Sequence, residues 1–231
     1  MHASAFTDEC YSPLPKRGEV CIHAIVCTME DVEGLPCMLA KQQTQPMTVD
    51  EWRELERTSE VKHEYIDGYV YAMAGGSLAH SLIAANAVST LNAAFGDGPC
   101  LAYTSDAATR VSESRYTYAD VVVSCSACDQ ASRDATEVVE PRVVLEVLSD
   151  STEYKDRGRK SDDYRRCPSL QEYVLVGTRY QRVEIYRRTP EGWGLFCFYG
   201  PGDEAELTSI GVRFPIAALY RRTDVPETPP D

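Results

Sequence analysis

The chain has 231 residues, 43% of them hydrophobic, and its 36 acidic and 23 basic residues give a formal net charge of −13. This length suits one domain with extensions better than two domains. The acidic balance argues against a general nucleic-acid coat protein, because phosphate binding depends largely on basic charge. No apolar stretch approaches the roughly 20 residues that cross a bilayer. Nine cysteines without a regular framework, and no preceding signal peptide, predict a reduced, cytoplasmic protein.

The ends of the chain differ in composition from its middle. Residues 1–46 lack periodicity, and we expect either a poorly ordered extension or a misassigned start, with translation beginning at Met47. Their cysteines match no common zinc spacing. A single domain is predicted over residues 47–222. Residues 223–231 are rich in proline and acid, which predicts a disordered tail.

A helix and a hairpin are predicted at the start of the domain. Thr48, with Glu51 three residues later, is a capping-box pattern. The apolar stripe of this first helix consists of Trp52, Leu55 and Val61. HEYIDGYVYAM then alternates around an Asp-Gly pair, which indicates a β-hairpin. Glu64 lies just before that turn, and this stretch alone favours an exposed carboxylate on an edge strand.

A second helix is predicted over LAHSLIAANAVSTLNAAF, and Gly96 ends it. Its core stripe consists of Leu82, Ile83, Ala87, Leu91 and Phe95. His80 lies in the first turn. A histidine there is either structural or contacts a phosphate, because helix N-termini favour anions, and the sequence leaves both interpretations open.

Short strands follow, and one of them, YTYADVVVS, carries Asp120 immediately before three valines. An acidic residue is unfavourable inside a strand, so Asp120 either caps the strand or is kept for a function. Taken alone, the cap is favoured. Cys125 and Cys128 form one CxxC in a polar stretch, which is weak support for zinc because no second pair of ligands is found.

The central stretch is RVVLEVLSDSTEYKDRGRKSDDY, residues 142–164. It opens as the apolar run of a strand that is covered on both faces, yet it contains Glu146. Because an unpaired buried carboxylate costs several kcal/mol, something should bind it. Residues that can cap a helix follow, and on that helix Asp156, Lys160 and Tyr164 recur every fourth residue and share a face.

The same helix is rich in basic residues, and the rest of the chain predicts strands. The basic cluster consists of Arg157, Arg159, Lys160, Arg165 and Arg166, and a solvated surface is its simplest interpretation. Pro168 ends the helix. QEYVLVG, RVEIYRR and GLFCFYG predict three strands, and residues 212–219 predict a short strand or helical turn.

Four of these residues suggest one chemistry when they are considered together: Glu64, Asp120, Glu146 and Lys160. Metal-assisted hydrolysis of a phosphodiester needs hard oxygen ligands for Mg²⁺. The metal lowers the pKa of a bound water and neutralises charge on the phosphate. A lysine can orient that water and stabilise the developing charge.

The order of these motifs resembles the Uma family of restriction-endonuclease-like proteins, a branch of the PD-(D/E)XK nuclease superfamily. The matching pieces are EYIDG, the helix with His80, YADVVV, LEVLSDST, and the face of Asp156, Lys160 and Tyr164 followed by EYVLV. Several separate motifs in the right order make the resemblance specific. It covers residues 47–219.

The resemblance implies site residues. Asp120 and Glu146 would bind the metal, the backbone carbonyl of Val147 would be a third ligand, and Glu64 would add a carboxylate. Two positions depart from the superfamily pattern: Ala119 replaces a proline, and Leu148 stands where the superfamily has its lysine. The resemblance suggests that Lys160, rather than Lys155, serves that space from the helix.

The implied fold is α/β, a restriction-endonuclease-like core with a mixed β-sheet flanked by α-helices, a four-strand centre and a carboxylate cleft at its edge. The implied function is an Mg²⁺-dependent endonuclease, with Mn²⁺ as a substitute, that acts on DNA as a homodimer.

The first alternative is an inactive binding or assembly protein that kept the fold, favoured by Leu148 and the acidic charge. A zinc module at Cys125 and Cys128 ranks last. For Asp156 and Tyr164 the favoured interpretation is helix packing with an Asp156–Lys160 ion pair.

Overall fold

The structure is a computed structural model that describes residues 45–229 apart from residues 133 and 151. The prediction of an N-terminal extension therefore lies almost entirely outside the described residues. The helices are α1 (Val49–Thr58), α2 (Leu78–Phe95), α3 (Glu153–Lys155), α4 (Ser161–Arg166) and α5 (Ile216–Leu219), with a kinked helical segment, Asp156–Lys160, between α3 and α4. The strands are β1 (His63–Ile66), β2 (Tyr69–Ala72), β3 (Leu101–Thr104), β4 (Ala108–Ser112), β5 (Arg115–Thr117), β6 (Val121–Ser124), β7 (Glu137–Val138), β8 (Pro141–Val147), β9 (Glu172–Val176), β10 (Val183–Thr189), β11 (Gly192–Tyr199), β12 (Glu204–Leu207) and β13 (Val212–Pro215).

The strands form a mixed central sheet and two smaller sheets. The central sheet has the order β11-β10-β9-β8-β6-β3, and its β8–β9 pair is parallel while β6–β8 is antiparallel. A five-stranded sheet has the order β2-β1-β5-β4-β7, and β12 pairs with β13. The predicted α/β fold with a mixed sheet is confirmed. The central sheet has six strands where the sequence suggested four.

Strand β8 is covered on both faces, as its continuous apolar run predicts. Val143, Leu145 and Val147 belong to the cluster that packs under α2. Val144 and Leu148 belong to a second cluster, which contains Tyr164 and Tyr173. Side chains alternate between the faces of a strand, so Glu146 points to the side of Val144 and Leu148. The carboxylate therefore lies between the central sheet and the helix that follows it.

The hairpin of β1 and β2 forms as the Asp-Gly pair predicts. Asp67 and Gly68 both have positive φ, 51° and 94°, which is the conformation of a two-residue hairpin turn. A side chain at position 68 would also meet Pro46 at 2.7 Å. One detail of the preceding helix differs from the prediction: α1 ends at Thr58, so Val61 lies beyond it and is exposed.

The chain after β13 packs back on the domain. Val225 is buried, and the Gln181 amide donates a 2.8 Å hydrogen bond to the carbonyl of Pro226. The first residues of the predicted disordered tail are therefore ordered, because they cover the end of β9 and β10. Residues 212–219 form both of the predicted alternatives, strand β13 followed by helix α5. No helix within the described residues is long and apolar enough to span a membrane.

A disulfide joins Cys100 to Cys125 across the β3–β6 pair. This contradicts the prediction that the cysteines are reduced. Cys125 is also removed as a zinc ligand, which leaves Cys128 as a free, exposed thiol without its CxxC partner. The spacing of cysteines along the chain did not predict the bridge, because antiparallel pairing of two strands brings the residues together.

Reduction of this disulfide should destabilise the protein by about 3 kcal/mol, because the bridge closes a loop with a sequence separation of 25 residues. Urea unfolding with and without dithiothreitol measures the difference. Cys128→Ser is the matched control, since that thiol is free, and it should leave the difference unchanged. Equal stability of the oxidised and reduced protein would contradict the prediction.

Candidate active site

Glu146 is the centre of a cluster of charged side chains. It lies inside β8, is 3% exposed, and its neighbours on both sides are core valines and leucines. Its Oε1 accepts a hydrogen bond of 2.9 Å from the Tyr164 hydroxyl and one of 3.1 Å from Lys160 Nζ. The buried carboxylate thus has partners within the chain, and they come from the helical segments that follow the strand.

Lys160 Nζ lies among three carboxylates. It is 3.1 Å from Glu146 Oε1, 3.4 Å from Glu64 Oε1 and 3.7 Å from Asp156 Oδ1. The helix that carries it is not the regular α-helix that we predicted. Its backbone is kinked at Gly158, whose φ and ψ are −102° and −107° and are not helical. The kinked segment still brings Lys160 to Glu146.

Asp120 and His80 form the second part of the cluster. Asp120 precedes β6, and its Oδ2 accepts a 2.7 Å hydrogen bond from the Val147 amide. His80 Nε2 lies 3.1 Å from the same oxygen. The hydrogen bond to Asp120 raises the pKa of His80 above its ordinary value, a further hydrogen bond to the Val147 backbone adds to this, and burial acts against it. His80 on α2 therefore faces a carboxylate of the cluster. Asp120 links α2 to β8, because it contacts both His80 and the Val147 amide.

Glu64 reaches the cluster from the five-stranded sheet. Its strand β1 pairs with both β2 and β5, so the interpretation as an exposed edge-strand carboxylate is wrong. Its Oε1 is buried and accepts no hydrogen bond, although Lys160 lies within ion-pair distance. A buried carboxylate oxygen without a hydrogen bond is costly, and the Lys160 ammonium at 3.4 Å offsets part of that cost.

Tyr164 and Asp156 belong to the cluster as well. The Tyr164 hydroxyl lies 2.9 Å from both Glu146 Oε1 and Thr117 Oγ1. Asp156 is buried, and its ion pair with Lys160 is the contact that we predicted. Their spacing at every fourth residue predicts that they share a helix face, and the sequence favours packing as their role. No pattern in the sequence indicated Thr117.

Leu148, two residues after Glu146, fills the place where the superfamily carries its lysine. It is buried in the same cluster as Tyr164 and Val144. The ammonium of Lys160 approaches Glu146 from the helix instead, as the resemblance suggested. Lys160 thus lies beside the Glu146 carboxylate of β8.

The electrostatics of the site favour a proton or a cation on these carboxylates. Burial raises the pKa of Glu146 from 4.5 to about 8, and the charges of Asp120 and Asp156 add to this, while Lys160 lowers it. Burial likewise raises the pKa of Asp156. The carboxylates raise the pKa of Lys160 well above its ordinary value even though burial opposes this. Four acidic side chains and one lysine therefore leave an excess of negative charge.

Without metal ions, the protein should lose stability as the pH rises from about 4.5 to 8, the interval between the ordinary and the folded pKa of Glu146. In that interval the folded protein keeps a proton that the unfolded chain releases, so each increase in pH favours unfolding. The raised pKa of His80 acts in the same direction. Urea unfolding in EDTA at several pH values checks this. Glu146→Gln should flatten the pH dependence, and a stability that rises over this interval would contradict it.

The donor set fits a magnesium ion that is held by few protein ligands. Within residues 45–229, apart from 133 and 151, no three His, Cys, Asp or Glu side chains are arranged to hold a metal ion alone. Mg²⁺ in phosphate enzymes is usually bound by one or two carboxylates, waters and substrate oxygens. Asp120 and Glu146, with the backbone carbonyl of Val147, supply hard oxygens of this kind, and the unbonded Glu64 oxygen lies nearby.

Known proteins resemble this chain over the same region. The model of the family described as "Uma2: Putative restriction endonuclease" matches residues 49–217. Uncharacterized protein slr1290 of Synechocystis sp. is 36% identical over 177 residues, which cover 76% of this chain and 92% of that protein. Uncharacterized protein sll1609 of the same organism is 30% identical over 177 residues, 76% of this chain and 100% of that protein.

A crystal structure has a similar fold. It is titled as a "putative nuclease belonging to DUF820" from Anabaena variabilis, and it matches with a TM-score of 0.63 at 19% identity, covering 76% of this chain and 98% of that one. This likeness concerns the fold, and together with the family match it supports a nuclease-like function. Since the family model spans most of the described residues and every motif of the cluster, the chain belongs to the Uma2 family.

Proposed function

We propose that the protein is a metal-dependent DNA endonuclease that hydrolyses phosphodiester bonds at the cluster of Glu64, Asp120, Glu146 and Lys160. The observation that carries the proposal is the 3.1 Å contact between Lys160 Nζ and Glu146 Oε1. This contact places a lysine beside the carboxylate of β8, although Leu148 occupies the position where the superfamily carries its lysine. The expected ion is Mg²⁺, and Mn²⁺ is the expected substitute.

Each residue has a role that follows from its contacts. Asp120, Glu146 and the Val147 carbonyl would hold the ion, which when bound would lower the pKa of a water and neutralise charge on the phosphate. Lys160 orients the attacking water and stabilises the charge that develops on the phosphate oxygens. Tyr164 orients the Glu146 carboxylate through its 2.9 Å hydrogen bond.

His80 and Glu64 lie at the two ends of the cluster. His80 contacts Asp120 and the Val147 backbone, so it would help to hold Asp120 in place. Glu64 would supply an additional carboxylate beside Lys160. We further propose that the protein works in the cytoplasm as a homodimer.

The alternative function is an inactive binding or assembly protein with the nuclease fold. It is favoured by the ammonium of Lys160, which already neutralises part of the carboxylate charge without a metal ion, and by the net charge of −13. A fold by itself does not establish activity.

Supercoiled plasmid DNA tests the proposed function. The purified protein is incubated with plasmid in Mg²⁺, in Mn²⁺ and in EDTA, at low salt so that weak phosphate contacts are retained. We expect nicked product only with metal. No product with either metal would contradict the proposal.

Thermal unfolding separates the two functions independently of cleavage. A site that binds Mg²⁺ stabilises the folded protein by about 2.7 kcal/mol at a hundred times the dissociation constant, and Asp120→Asn should remove this gain. The inactive protein should show no change in Tm with millimolar Mg²⁺.

A further inference from the structure

The outer face of the β1–β2 hairpin continues the wall of the candidate site. Glu64 pairs with Tyr71, and Ile66 pairs with Tyr69. Directly opposite residues of an antiparallel pair project to the same face, with Cβ atoms roughly 5 Å apart. Since Glu64 reaches Lys160, Tyr71 stands beside the carboxylate cluster, and Tyr69 stands next to Tyr71 on the same face of the strand.

Both rings are open to solvent although they lie beside the site. Tyr71 is 47% and Tyr69 is 42% exposed. Val70 lies between the two tyrosines in the strand, so its side chain is on the opposite face of the hairpin. It packs against the core cluster of Trp52 and Tyr65, and that opposite face therefore contacts the core. Strand propensity explains why tyrosine is tolerated here, but it does not explain why both rings are on the face that carries Glu64.

The charges around this wall give little support to binding through phosphates alone. A protein that holds a nucleic acid only through its phosphates needs many basic contacts, whereas the net charge here is −13. Arg115, on the same face as Ile66, is already bound by Asp67 and Asp163. Arg159, next to Lys160, has a side chain that is 56% exposed and lies 3.9 Å from Asp163 Oδ2. The wall therefore offers aromatic surface and few free cations.

We propose that Tyr69 and Tyr71 form a base-stacking wall, and that the site takes single-stranded DNA whose bases lie against these rings while a phosphate reaches Lys160. This inference rests on the proposed function, because it assigns the substrate class of the same site. Stacking on aromatic rings is available to every base, so it predicts affinity without sequence preference. In a duplex the bases are already stacked on each other and their faces are not available to the wall.

Fluorescence anisotropy tests the proposal. The wild type, Tyr69→Ala, Tyr71→Ala and the double variant are titrated against a labelled oligonucleotide of about 20 nucleotides, longer than the roughly 4–16 nucleotides of known single-strand sites, and against its duplex, in Ca²⁺ in place of Mg²⁺. We expect the wild type to bind the single strand more tightly, and each alanine to weaken that binding about tenfold. Tyr71→Phe should retain the affinity, because the stacking ring remains.

Phe198→Ala is the matched control. Phe198 is a similarly exposed aromatic residue, 51%, on β11, the edge strand of the other large sheet, and its removal should leave the affinity unchanged. Three results would contradict the base-stacking proposal: unchanged single-strand binding in the double variant, tighter binding of the duplex, or no single-strand binding by the wild type.

Cleavage in Mg²⁺ is measured in parallel. If binding depends on the two tyrosines but no cleavage occurs, the endonuclease proposal is wrong and the base-stacking proposal stands. If the double variant binds with wild-type affinity and cleaves, the base-stacking proposal is wrong and the endonuclease proposal stands.

Discussion

Glu146→Gln should lower metal-dependent nicking of plasmid DNA at least about 10³-fold, the scale expected when a charge-stabilising group is lost from such a site. Glutamine keeps the shape and can still accept the hydrogen bond from Tyr164, but it lacks the negative charge that a divalent ion requires. The fold should remain intact. Because burial disfavours the charged carboxylate, the variant should be at least as stable as the wild type at pH 8.

Initial rates of nicking in Mg²⁺, with circular dichroism and urea unfolding on the same samples, measure both effects. Glu206→Gln is the matched control, since that residue forms an exposed ion pair with Arg213 on the small sheet, and it should cut as the wild type does. Full activity in a folded Glu146→Gln variant would remove this residue from the site.

Lys160→Met should lower the cleavage rate by about 10²–10³-fold, because the variant loses the cation that orients the water and stabilises the phosphate charge. It should also change the stability in a pH-dependent way. Without the ammonium, Glu64, Glu146 and Asp156 lose their shared ion-pair partner, and breaking a buried pair costs about 3–5 kcal/mol. That cost should appear mainly above pH 8, since at lower pH Glu146 takes up a proton instead.

Lys155→Met separates this effect from a general loss of basic charge. Lys155 is the other lysine near Glu146 in the sequence, and its side chain is exposed on α3. Its replacement should change neither the cleavage rate nor the pH dependence of stability. If the two lysine variants behave alike, Lys160 has no special role, and the inactive-fold alternative gains support.

Local patterns determined much of the site. Glu146 stood out because a carboxylate inside an apolar strand needs a partner, and the every-fourth spacing placed Lys160 and Tyr164 on one side of the following helix. The Asp-Gly pair predicted the hairpin turn, which the structure confirms with two positive φ angles. These features depend on neighbours within a few residues, so the sequence alone carries them.

Contacts between distant segments were decided only by the tertiary structure. Glu64 was assigned to an edge strand because nothing near it in sequence shows that β5 covers its other side. His80 meets Asp120 because α2 packs over β6 and β8, and Cys100 meets Cys125 because β3 pairs with β6. The sequence by itself determined which residues could do metal-assisted chemistry and in which order they occur. Strand pairing and helix packing decided which of them meet, because both join residues whose separation along the chain carries no periodic signal.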